Sequence, residues 1–399
     1  MDNNQGKKLR IRSQVFFAMV FFAIIIIYNL YIREILSFKI LSIADLNPYG
    51  GWSALKDKII DSNYEFDGVN NSIALTIAIL FISIVGGRFL CGWLCPLGAL
   101  QDFSASLSKK CDKGTSSLIQ KCDTQPVPLS PIVLLIILII SILGHGAKIA
   151  ELSPWRALLN LPNLFSAWSE MKIGFFILLL IPLFSMIIPR FFCRYICPLG
   201  AAQALFSSFS FITIKKDKRC ISCNVCLKDC PMGIKLNKKE TALSPECIRC
   251  MNCVDGCKIF EDRSLTLQLK HKKMNPKTYA SILLILFFLL WLGLPKLWTG
   301  STLGSNISTA NLRDGTYEGE AKGFAARIVT EVIIEKGEIN SIKILSHHES
   351  KGWYDEVYMV LPKEIIKKQS LNVDAISGAT KTSKGLVRSI EDAIKKAIN

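Results

Sequence analysis

Two cysteine runs organise this chain of 399 residues: CISCNVCLKDCP at residues 220–231 and CIRCMNCVDGCK at residues 247–258. Both runs have the spacing C-x2-C-x2-C-x3-C, which gives each of them enough thiolates to hold an iron–sulfur cluster. A zinc site is the main alternative, but zinc takes four ligands and commonly uses two C-x2-C pairs. Two complete four-cysteine runs therefore predict iron–sulfur clusters in this segment.

The spacing also predicts which cysteines share a cluster. In bacterial-type ferredoxins with this spacing, the fourth cysteine of each run binds the cluster of the other run. The predicted ligands of two [4Fe–4S] clusters are Cys220, Cys223, Cys226 and Cys257 for cluster one, and Cys247, Cys250, Cys253 and Cys230 for cluster two. Lys258 follows the second run where Pro231 follows the first. Because that proline shapes a turn and binds no iron, Cys257 keeps its place in the set.

The composition indicates a membrane protein. Half of the residues are hydrophobic, and the mean hydropathy of +0.34 is high for a protein in water. The net charge of +16 raises the alternative of a nucleic-acid partner. We expect no nucleic-acid binding, because the basic residues gather in loops between apolar runs. Most of the fourteen cysteines have metal-type spacings, which indicates a reducing compartment and not a disulfide framework.

Five apolar runs predict about five transmembrane helices, since roughly twenty apolar residues cross the hydrocarbon core. The runs are Val15–Tyr31, Ser72–Val85, Pro131–Leu143, Ile173–Ile188 and Tyr279–Leu294. The first run follows a basic N-terminus and has no small-residue cleavage site before Arg33, so we expect a retained signal-anchor helix. The alternative is a set of buried helices in a large soluble protein.

The basic residues predict the orientation of these helices. The segment Arg190–Lys277 carries seventeen Lys and Arg residues, whereas the segment between the first two runs carries four and is richer in acidic residues. Positive loops stay in the cytoplasm, so we expect the N-terminus and the cysteine runs there. An odd number of spans then places the chain beyond about Lys296 outside the cytoplasm. The expected location is the inner (cytoplasmic) cell membrane, with several passes.

The membrane half contains an internal repeat. GRFLCGWLCPLGALQ at residues 87–101 resembles PRFFCRYICPLGAAQ at residues 189–203, and each follows a predicted hydrophobic hairpin. If each segment is one helix, the four-residue spacing of C-x3-C-P stacks both thiols on one face. The cysteines of this motif form a candidate redox relay: Cys91, Cys95, Cys193 and Cys197.

The chemistry of this repeat has several interpretations. Four thiolates could hold an additional metal centre, or each pair could be a redox-active dithiol. Buried cysteines in a structural turn are the plainer alternative. Cys111 and Cys122 match no ligand spacing, and we expect them to be free thiols.

The apolar spans, the paired C-x3-C-P motifs and the double cysteine run together resemble the NosR/NapH-type membrane polyferredoxins. The resemblance covers roughly residues 70–265. It implies an iron–sulfur protein at the cytoplasmic side of a membrane that exchanges electrons with redox partners.

Beyond Asp314 the pattern changes to that of an α+β domain. ARIVTEVIIEKGEINSIKIL alternates apolar residues around a Lys-Gly turn and predicts a β-hairpin. We expect a helix near Asp355–Lys368 and a final amphipathic helix with Thr382 or Ser383 as its N-cap. The apolar residues at helical spacing in that last helix are Leu386, Val387, Ile390, Ala393, Ile394 and Ala397.

This domain resembles the FMN-binding domain of RnfG/NqrC-type electron-transfer subunits, most specifically in D-x-x-S-G-A-T at Asp374–Thr380. In that family the final threonine carries FMN through a phosphoester bond, which a flavin transferase makes outside the cytoplasm. The resemblance implies covalent FMN on Thr380, with Thr382 as the alternative. A helix N-terminus beside small residues would help to hold the phosphate. The other residues expected near the flavin are Asp374, Ser377, Gly378, Ala379, His348 and Glu349.

The fold class expected from these features is a multi-pass α-helical membrane protein with a cytoplasmic two-cluster ferredoxin segment and a C-terminal α+β FMN-binding domain. Its parts by residue number are a signal anchor (1–34), two membrane hairpin units (35–130 and 131–213), the ferredoxin segment (214–265), a last transmembrane helix (278–297) and the FMN-binding domain (310–399).

The expected function is that of an oxidoreductase-type electron carrier without a substrate reaction of its own. A cytoplasmic donor, such as a ferredoxin or a dehydrogenase, would exchange electrons with the clusters, and an extracytoplasmic acceptor with the FMN. About 30 Å of hydrocarbon would separate the two sites, so the C-x3-C-P cysteines are the expected relay. The alternative is redox-dependent maturation or regulation of another metalloenzyme.

Overall fold

The computed structural model divides the chain into two compact units, Met1–Ile26 with Ala74–Gly293, and Ile27–Ile73 with Leu294–Asn399. The residues that it describes are 5–33, 35–36, 41, 43–49, 51–52, 71–111, 130–141, 151–216, 220, 226, 229–234, 244–257, 265–269, 272–297, 312–323, 327–347, 355–373, 376 and 380–398. The finer domain boundaries expected from the sequence stay predictions.

Helices make up most of the described residues up to residue 297. In chain order they are α1 (Gln5–Ile32), α2 (Asn71–Gly86), α3 (Phe89–Trp93), α4 (Pro96–Cys111), α5 (Ser130–Ile140), α6 (Pro154–Leu159), α7 (Leu164–Ile187), α8 (Phe191–Tyr195), α9 (Pro198–Ser207), α10 (Asn252–Gly256) and α11 (Pro276–Leu297). Each of the five apolar runs overlaps a helix, so the prediction of helices at these places is confirmed.

Two of these helices are long and apolar enough to cross a membrane: Gly6–Tyr31 of α1 and the whole of α11, with mean hydropathies of 2.1 and 2.2. The apolar parts of α2, α5 and α7 are shorter, at 10 to 17 residues. In α7 the helical geometry is interrupted at Met171. Five membrane crossings and their sidedness therefore stay predictions.

The shorter apolar helices nevertheless expose apolar side chains. In α7, Ile173, Phe176, Leu179 and Leu183 recur at intervals of three or four residues and are all more than half exposed. Such a face is unfavourable in water and is typical of helices that contact lipid or a partner. This observation favours membrane contact for α7, in addition to α1 and α11.

The ferredoxin segment is flanked in the chain by strands that pair in an antiparallel sheet. Strand β1 (Ile212–Lys216) precedes the first cysteine run, and β2 (Leu265–Leu269) follows the second. These strands pair from Ile212 with Leu269 to Lys216 with Leu265, and the short β3 (Lys272–Lys273) pairs with β2. Because the two flanks of the insertion pair with each other, both cysteine runs belong to one closed segment.

The C-terminal unit contains a second antiparallel sheet, with the order β4 (Gly315–Lys322), β5 (Arg327–Glu335) and β6 (Glu338–Ser346). The predicted hairpin is confirmed: β5 and β6 join through Lys336 and Gly337, both with positive φ, at 56° and 75°. Two central residues with positive φ are what a tight type I′ turn requires.

Two helices, α12 (Asp355–Lys368) and α13 (Thr380–Ile398), accompany this sheet. The predicted helix at Asp355–Lys368 is confirmed with the same bounds. The six apolar residues predicted for the last helix are all fully buried and form the core of the domain with β5 and α12. The N-cap prediction was wrong, because α13 begins at Thr380 and includes Thr382 and Ser383.

Candidate functional site

Neither C-x3-C-P motif lies on one helix, so the condition under which its two thiols would stack on one helical face is not met. Cys91 lies in α3 and Cys193 in α8, and both helices end before the second cysteine of the motif. Cys197 has extended backbone angles (φ −66°, ψ 112°) and caps α9, with Pro198 as the first helical residue. Proline is the physical reason, since it disfavours helical angles at the residue before it.

The second cysteine of each motif accepts a hydrogen bond at a helix N-terminus. The Gly200 N–H donates to Cys197 Sγ over 3.4 Å. The Gly98 N–H makes the corresponding bond to Cys95. Because the helix dipole is positive at this end, both sulfurs lie where a negative charge is stabilised.

The first cysteine of each motif faces a glutamine of the other repeat. Gln101 Nε2 donates to Cys193 Sγ over 3.1 Å, and Gln101 Oε1 accepts the Cys193 N–H over 3.4 Å. Cys91 Sγ lies 3.6 Å from Gln203 Oε1. Both glutamines are fully buried. The two repeats therefore contact each other through the same pair of residue types in both directions.

Two buried arginines make a second reciprocal contact. Arg190 Nη1 donates to the Cys91 carbonyl over 2.6 Å, and Arg88 Nη2 donates to the Cys193 carbonyl over 3.1 Å. A methyl group at Gly200 would clash with Arg88 Nη2. The glycine of the C-P-L-G sequence thus makes room for the arginine of the other repeat.

A carboxylate of the first repeat neutralises Arg190. Nε and Nη2 of Arg190 donate to Oδ1 and Oδ2 of Asp102 over 2.8 and 2.7 Å. Arg10 Nη2 also lies 3.1 Å from Asp102 Oδ2. Burial raises the pKa of Asp102, but the arginine charges and hydrogen bonds outweigh burial and hold this pKa well below its usual range. Asp102 is therefore ionised at neutral pH.

The thiols of both repeats form one group, in which Cys91, Cys95 and Cys193 are buried and Cys197 is half-buried. Burial raises the pKa of Cys95 most, and the charges of Cys193 and Cys91 raise it further. Burial also raises the pKa of Cys197, followed by the same two neighbours. We call this group the four-cysteine centre: Cys91, Cys95, Cys193 and Cys197. The raised pKa values of Cys95, Cys193 and Cys197 keep these three thiols protonated at neutral pH, so binding of a metal would release their protons.

The ferredoxin segment brings together the cysteines predicted for cluster two. A single cavity is lined by Cys226, by the apolar residues Ile214, Met232, Ile234 and Ile248, and by the four predicted ligands Cys230, Cys247, Cys250 and Cys253. Burial raises the pKa of Cys230 to about 12. The structure thus places the last cysteine of the first run beside three of the second, as the crossed ligand sets require. Ligation itself stays a prediction.

Cluster one is described in part. Cys220, Cys226 and Cys257 are half-buried, whereas Cys223 lies outside the described residues, as does Cys122. The ligand set of this cluster stays a prediction.

Among the described residues, no group of three or more His, Cys, Asp or Glu side chains is close enough to hold a single metal ion. That statement applies both to the four-cysteine centre and to the cysteines of cluster two. An iron–sulfur cluster is larger than a single ion, so its thiolates stand farther apart.

A buried core connects the first repeat with the ferredoxin segment. Cys91 packs in one cluster with Cys250, Ile248 and Met232, and Cys230 packs against it. A member of the four-cysteine centre thus shares its core with two predicted ligands of cluster two.

Buried Arg249 holds this connection in place. Its Nε donates to the Ile212 carbonyl over 3.1 Å, and its Nη1 donates to the Cys247 carbonyl over 3.3 Å. The carbonyl of Arg249 accepts the indole N–H of Trp93 over 3.1 Å. Arg249 therefore ties the second cysteine run to β1 and, through Trp93, to the first repeat.

The FMN residues predicted from the sequence lie mostly outside the described part of the chain: His348, Glu349, Asp374, Ser377, Gly378 and Ala379. Thr380 is the first residue of α13, so its backbone belongs to a helix N-terminus. The buried Ser383 Oγ accepts the Ile376 N–H over 3.1 Å, which ties the end of the preceding segment to the first turns of α13.

Sequence reasoning missed the residues that surround the four-cysteine centre: Arg10, Arg88, Gln101, Asp102, Arg190 and Gln203. Arg88 and Arg190 hold the same position in the two repeats, and so do Gln101 and Gln203. Recurrence of polar residues in an apolar repeat was the signal that could have found these four. Arg10 and Asp102 carry no such signal, because only the tertiary structure brings them together.

Comparison with family models agrees with these sites. A 4Fe-4S binding domain matches residues 71–113 and 172–216, which contain the two C-x3-C-P motifs. A 4Fe-4S dicluster domain matches residues 212–258, and an FMN-binding domain matches residues 323–395.

Individual relatives align with about half of this chain. An uncharacterized protein of Methanocaldococcus jannaschii is 31% identical over 192 residues, which are 48% of this chain and 77% of that protein. The ferredoxin-type protein NapH of Haemophilus influenzae is 30% identical over 206 residues, 47% of this chain and 67% of NapH. The regulatory protein NosR of Stutzerimonas stutzeri is 30% identical over 176 residues, 43% of this chain and 24% of NosR.

Proposed function

The chain belongs to the NapH/NosR-type membrane polyferredoxins and also carries a C-terminal FMN-binding domain, and from this premise we propose that it transfers electrons across a membrane. Its ferredoxin segment would exchange electrons with a cytoplasmic donor. Its FMN-binding domain would exchange them with an extracytoplasmic acceptor.

The single observation that carries this proposal is the shared core of Cys91 and Cys250. In that core Cys250, a predicted ligand of cluster two, packs against the same apolar residues as Cys91 of the four-cysteine centre. When bound, [4Fe–4S] clusters and FMN supply electron-transfer chemistry. The chain contributes burial, since Cys91 and Cys250 are both nearly inaccessible to solvent. Exclusion of water protects reduced centres from side reactions.

The residues present fit the cofactors that the proposal requires. The four predicted ligands of cluster two, together with Cys226, line one cavity with apolar walls. In the FMN-binding domain, Thr380 stands at the N-terminus of a 19-residue helix, where backbone N–H groups favour a phosphate. Two [4Fe–4S] clusters with the ligands given above, and a phosphoester between FMN and Thr380, are part of the proposal.

Two apolar helices and the family support the proposed location of this electron transfer in a membrane. Helices α1 and α11 have the length and hydropathy of membrane spans. We propose five crossings, with the ferredoxin segment in the cytoplasm and the FMN-binding domain outside. A flavin transferase outside the cytoplasm would attach the FMN.

Anaerobic purification of the full chain tests this proposal at the level of composition. We expect about eight iron atoms per chain from the two ferredoxin clusters, and one covalently bound flavin. Addition of dithionite should reduce both the iron–sulfur clusters and the flavin, which shows that both cofactors are redox-active. A preparation that contains zinc and no iron, or no flavin when made together with a flavin transferase, would contradict it.

A regulatory or maturation role is the second candidate, since one relative is named a regulatory protein. The two roles differ in flux. A bulk carrier sustains many turnovers of its acceptor per chain, whereas a maturation factor is needed in small amounts relative to the enzyme that it serves. Titration of the level of this protein in cells against respiratory rate separates the two roles.

A further inference from the structure

The surroundings of the four-cysteine centre repeat with approximate two-fold symmetry. Cys95 and Cys197 each accept an N–H from the glycine at the start of the next helix. Cys193 accepts an N–H from the side chain of Gln101. Three of the four sulfurs therefore have a hydrogen-bond donor.

The fourth sulfur has the same donor within reach. Gln203 places its Oε1 at Cys91 Sγ, while its buried Nε2 has no hydrogen-bond partner among the described residues. A half turn of the amide exchanges the oxygen and the nitrogen. After that turn Gln203 Nε2 donates to Cys91 Sγ, as Gln101 Nε2 does to Cys193. All four sulfurs then accept one N–H each, which is the environment of a thiolate ligand.

The charges around the four-cysteine centre also favour thiolate ligands. Asp102 neutralises Arg190, but position 204, which corresponds to Asp102 in the second repeat, is an alanine. Within the described part of the chain the hydrogen bonds of Arg88 go to the backbone carbonyls of Glu246 and Cys193, and its buried Nε has no hydrogen-bond partner there. An unpaired buried guanidinium is costly. Negative charge on the neighbouring sulfurs would compensate it.

We propose that the four-cysteine centre binds one iron–sulfur cluster that the two repeats share, that Gln101 and Gln203 are positioning residues that set its reduction potential, and that Arg88 balances its charge. Each matching 4Fe-4S segment contains one C-x3-C-P pair, so four ligands require both segments. The inference rests on the proposed electron-transfer function and adds a third centre to the path. Cys250, a predicted ligand of cluster two, packs in the same core as Cys91 of the four-cysteine centre. The proposed third centre therefore lies next to cluster two on the path of the electrons.

Iron content is the first test. The two ferredoxin clusters account for about eight iron atoms per chain, and a shared cluster adds two to four more. The Cys91→Ser/Cys193→Ser double variant should lose this additional iron and keep the ferredoxin signals in electron paramagnetic resonance spectra. As a matched control, a Cys111→Ser/Cys122→Ser double variant should keep all the iron.

A redox titration followed by electron paramagnetic resonance tests the glutamines. N–H donors favour the more negatively charged, reduced form of a cluster, so their loss lowers its potential. Gln101→Leu and Gln203→Leu should each shift one signal to lower potential without loss of iron, and the double variant should shift it further. Gln268→Leu, whose amide bonds to Thr266 in β2, should leave that signal unchanged.

The outcomes separate this inference from the proposed function. If the wild-type chain holds about eight iron atoms and its cysteine variants lose none, the inference fails even when the flavin is reduced normally. If the extra iron is present and the glutamine variants shift its signal while the flavin never reduces, the shared cluster stands and the proposed function fails. Iron in the wild-type chain does not depend on how well any variant folds.

Discussion

Arg190 of the second repeat and Asp102 of the first form a buried, two-pronged ion pair, with N–O distances of 2.8 and 2.7 Å. Arg190 has left-handed backbone angles (φ 56°, ψ 36°), which are unfavourable for a residue with a side chain. Its contacts with Asp102 and with the Cys91 carbonyl hold it there. This pair therefore joins the two C-x3-C-P repeats into one unit.

Replacement of Asp102 by Asn should destabilise the chain by about 3 kcal/mol, because it leaves Arg190 and Arg10 buried without a counter-charge. The measurement is thermal unfolding of the protein in detergent, followed by circular dichroism. Glu151→Gln removes an exposed carboxylate and serves as the control. If the Asp102→Asn variant has the same melting temperature as the wild type, the ion pair does not hold the repeats together.

The same pair predicts a pH dependence. The pKa of Asp102 is lower in the folded chain than in the unfolded chain. Its contribution to stability is therefore complete above the ordinary aspartate pKa of about 4, and it is lost as the pH falls towards the folded value. The melting temperature of the wild type should drop on acidification below about pH 4, and that of Asp102→Asn should drop less.

Replacement of Cys250 by Ser should remove cluster two and lower the iron content by about four atoms per chain. Cys250 is a wall of the cluster-two cavity and lies in the core that also contains Cys91. Iron analysis and electron paramagnetic resonance of anaerobic protein give the result. Retention of all iron would exclude Cys250 as a ligand, and Cys122→Ser is the matched control.

Replacement of Thr380 by Ala should abolish covalent flavin when the protein is produced together with a flavin transferase. Thr382→Ala should keep the flavin, because Thr382 is only 4% exposed and a transferase could not reach it. Flavin fluorescence of the denatured protein in a gel is the readout. Covalent flavin on the Thr380→Ala variant would move the attachment to another residue.

Replacement of both Cys193 and Cys197 by Ser should leave the ferredoxin signals intact and slow flavin reduction at least tenfold. These residues supply half of the four-cysteine centre and lie outside the cluster-two cavity. Stopped-flow reduction, followed at the flavin absorbance, measures the effect. Reduction at the wild-type rate would leave the C-x3-C-P motifs with a structural role only.

Patterns with a short period were predictable from the sequence. The hairpin of β5 and β6 follows from alternation around Lys336 and Gly337, and the buried face of α13 follows from helical spacing. The closeness of Cys230 to the second run was also predictable from spacing, whereas the ligand set of cluster two stays a prediction.

Contacts between distant segments were not predictable. The pairing of Arg10 with Asp102 and of Gln101 with Cys193 depends on how the two repeats face each other. Spacing alone left open whether C-x3-C-P lies on one helix, and the structure shows that it does not, because Pro198 forces Cys197 out of the helix and into the cap of α9. The N-cap prediction for α13 failed because the helix begins at Thr380, before both predicted caps. Ser383 accepts the Ile376 N–H from inside the helix.

The most direct test of the account is flavin reduction in sealed liposomes that contain the purified chain, with a membrane-impermeant reductant on the ferredoxin side only. The account predicts that the iron–sulfur absorbance falls first and that the flavin on the opposite side is then reduced. Reduced clusters beside a flavin that stays oxidised would contradict it, because the chain would then not carry electrons across the membrane on its own.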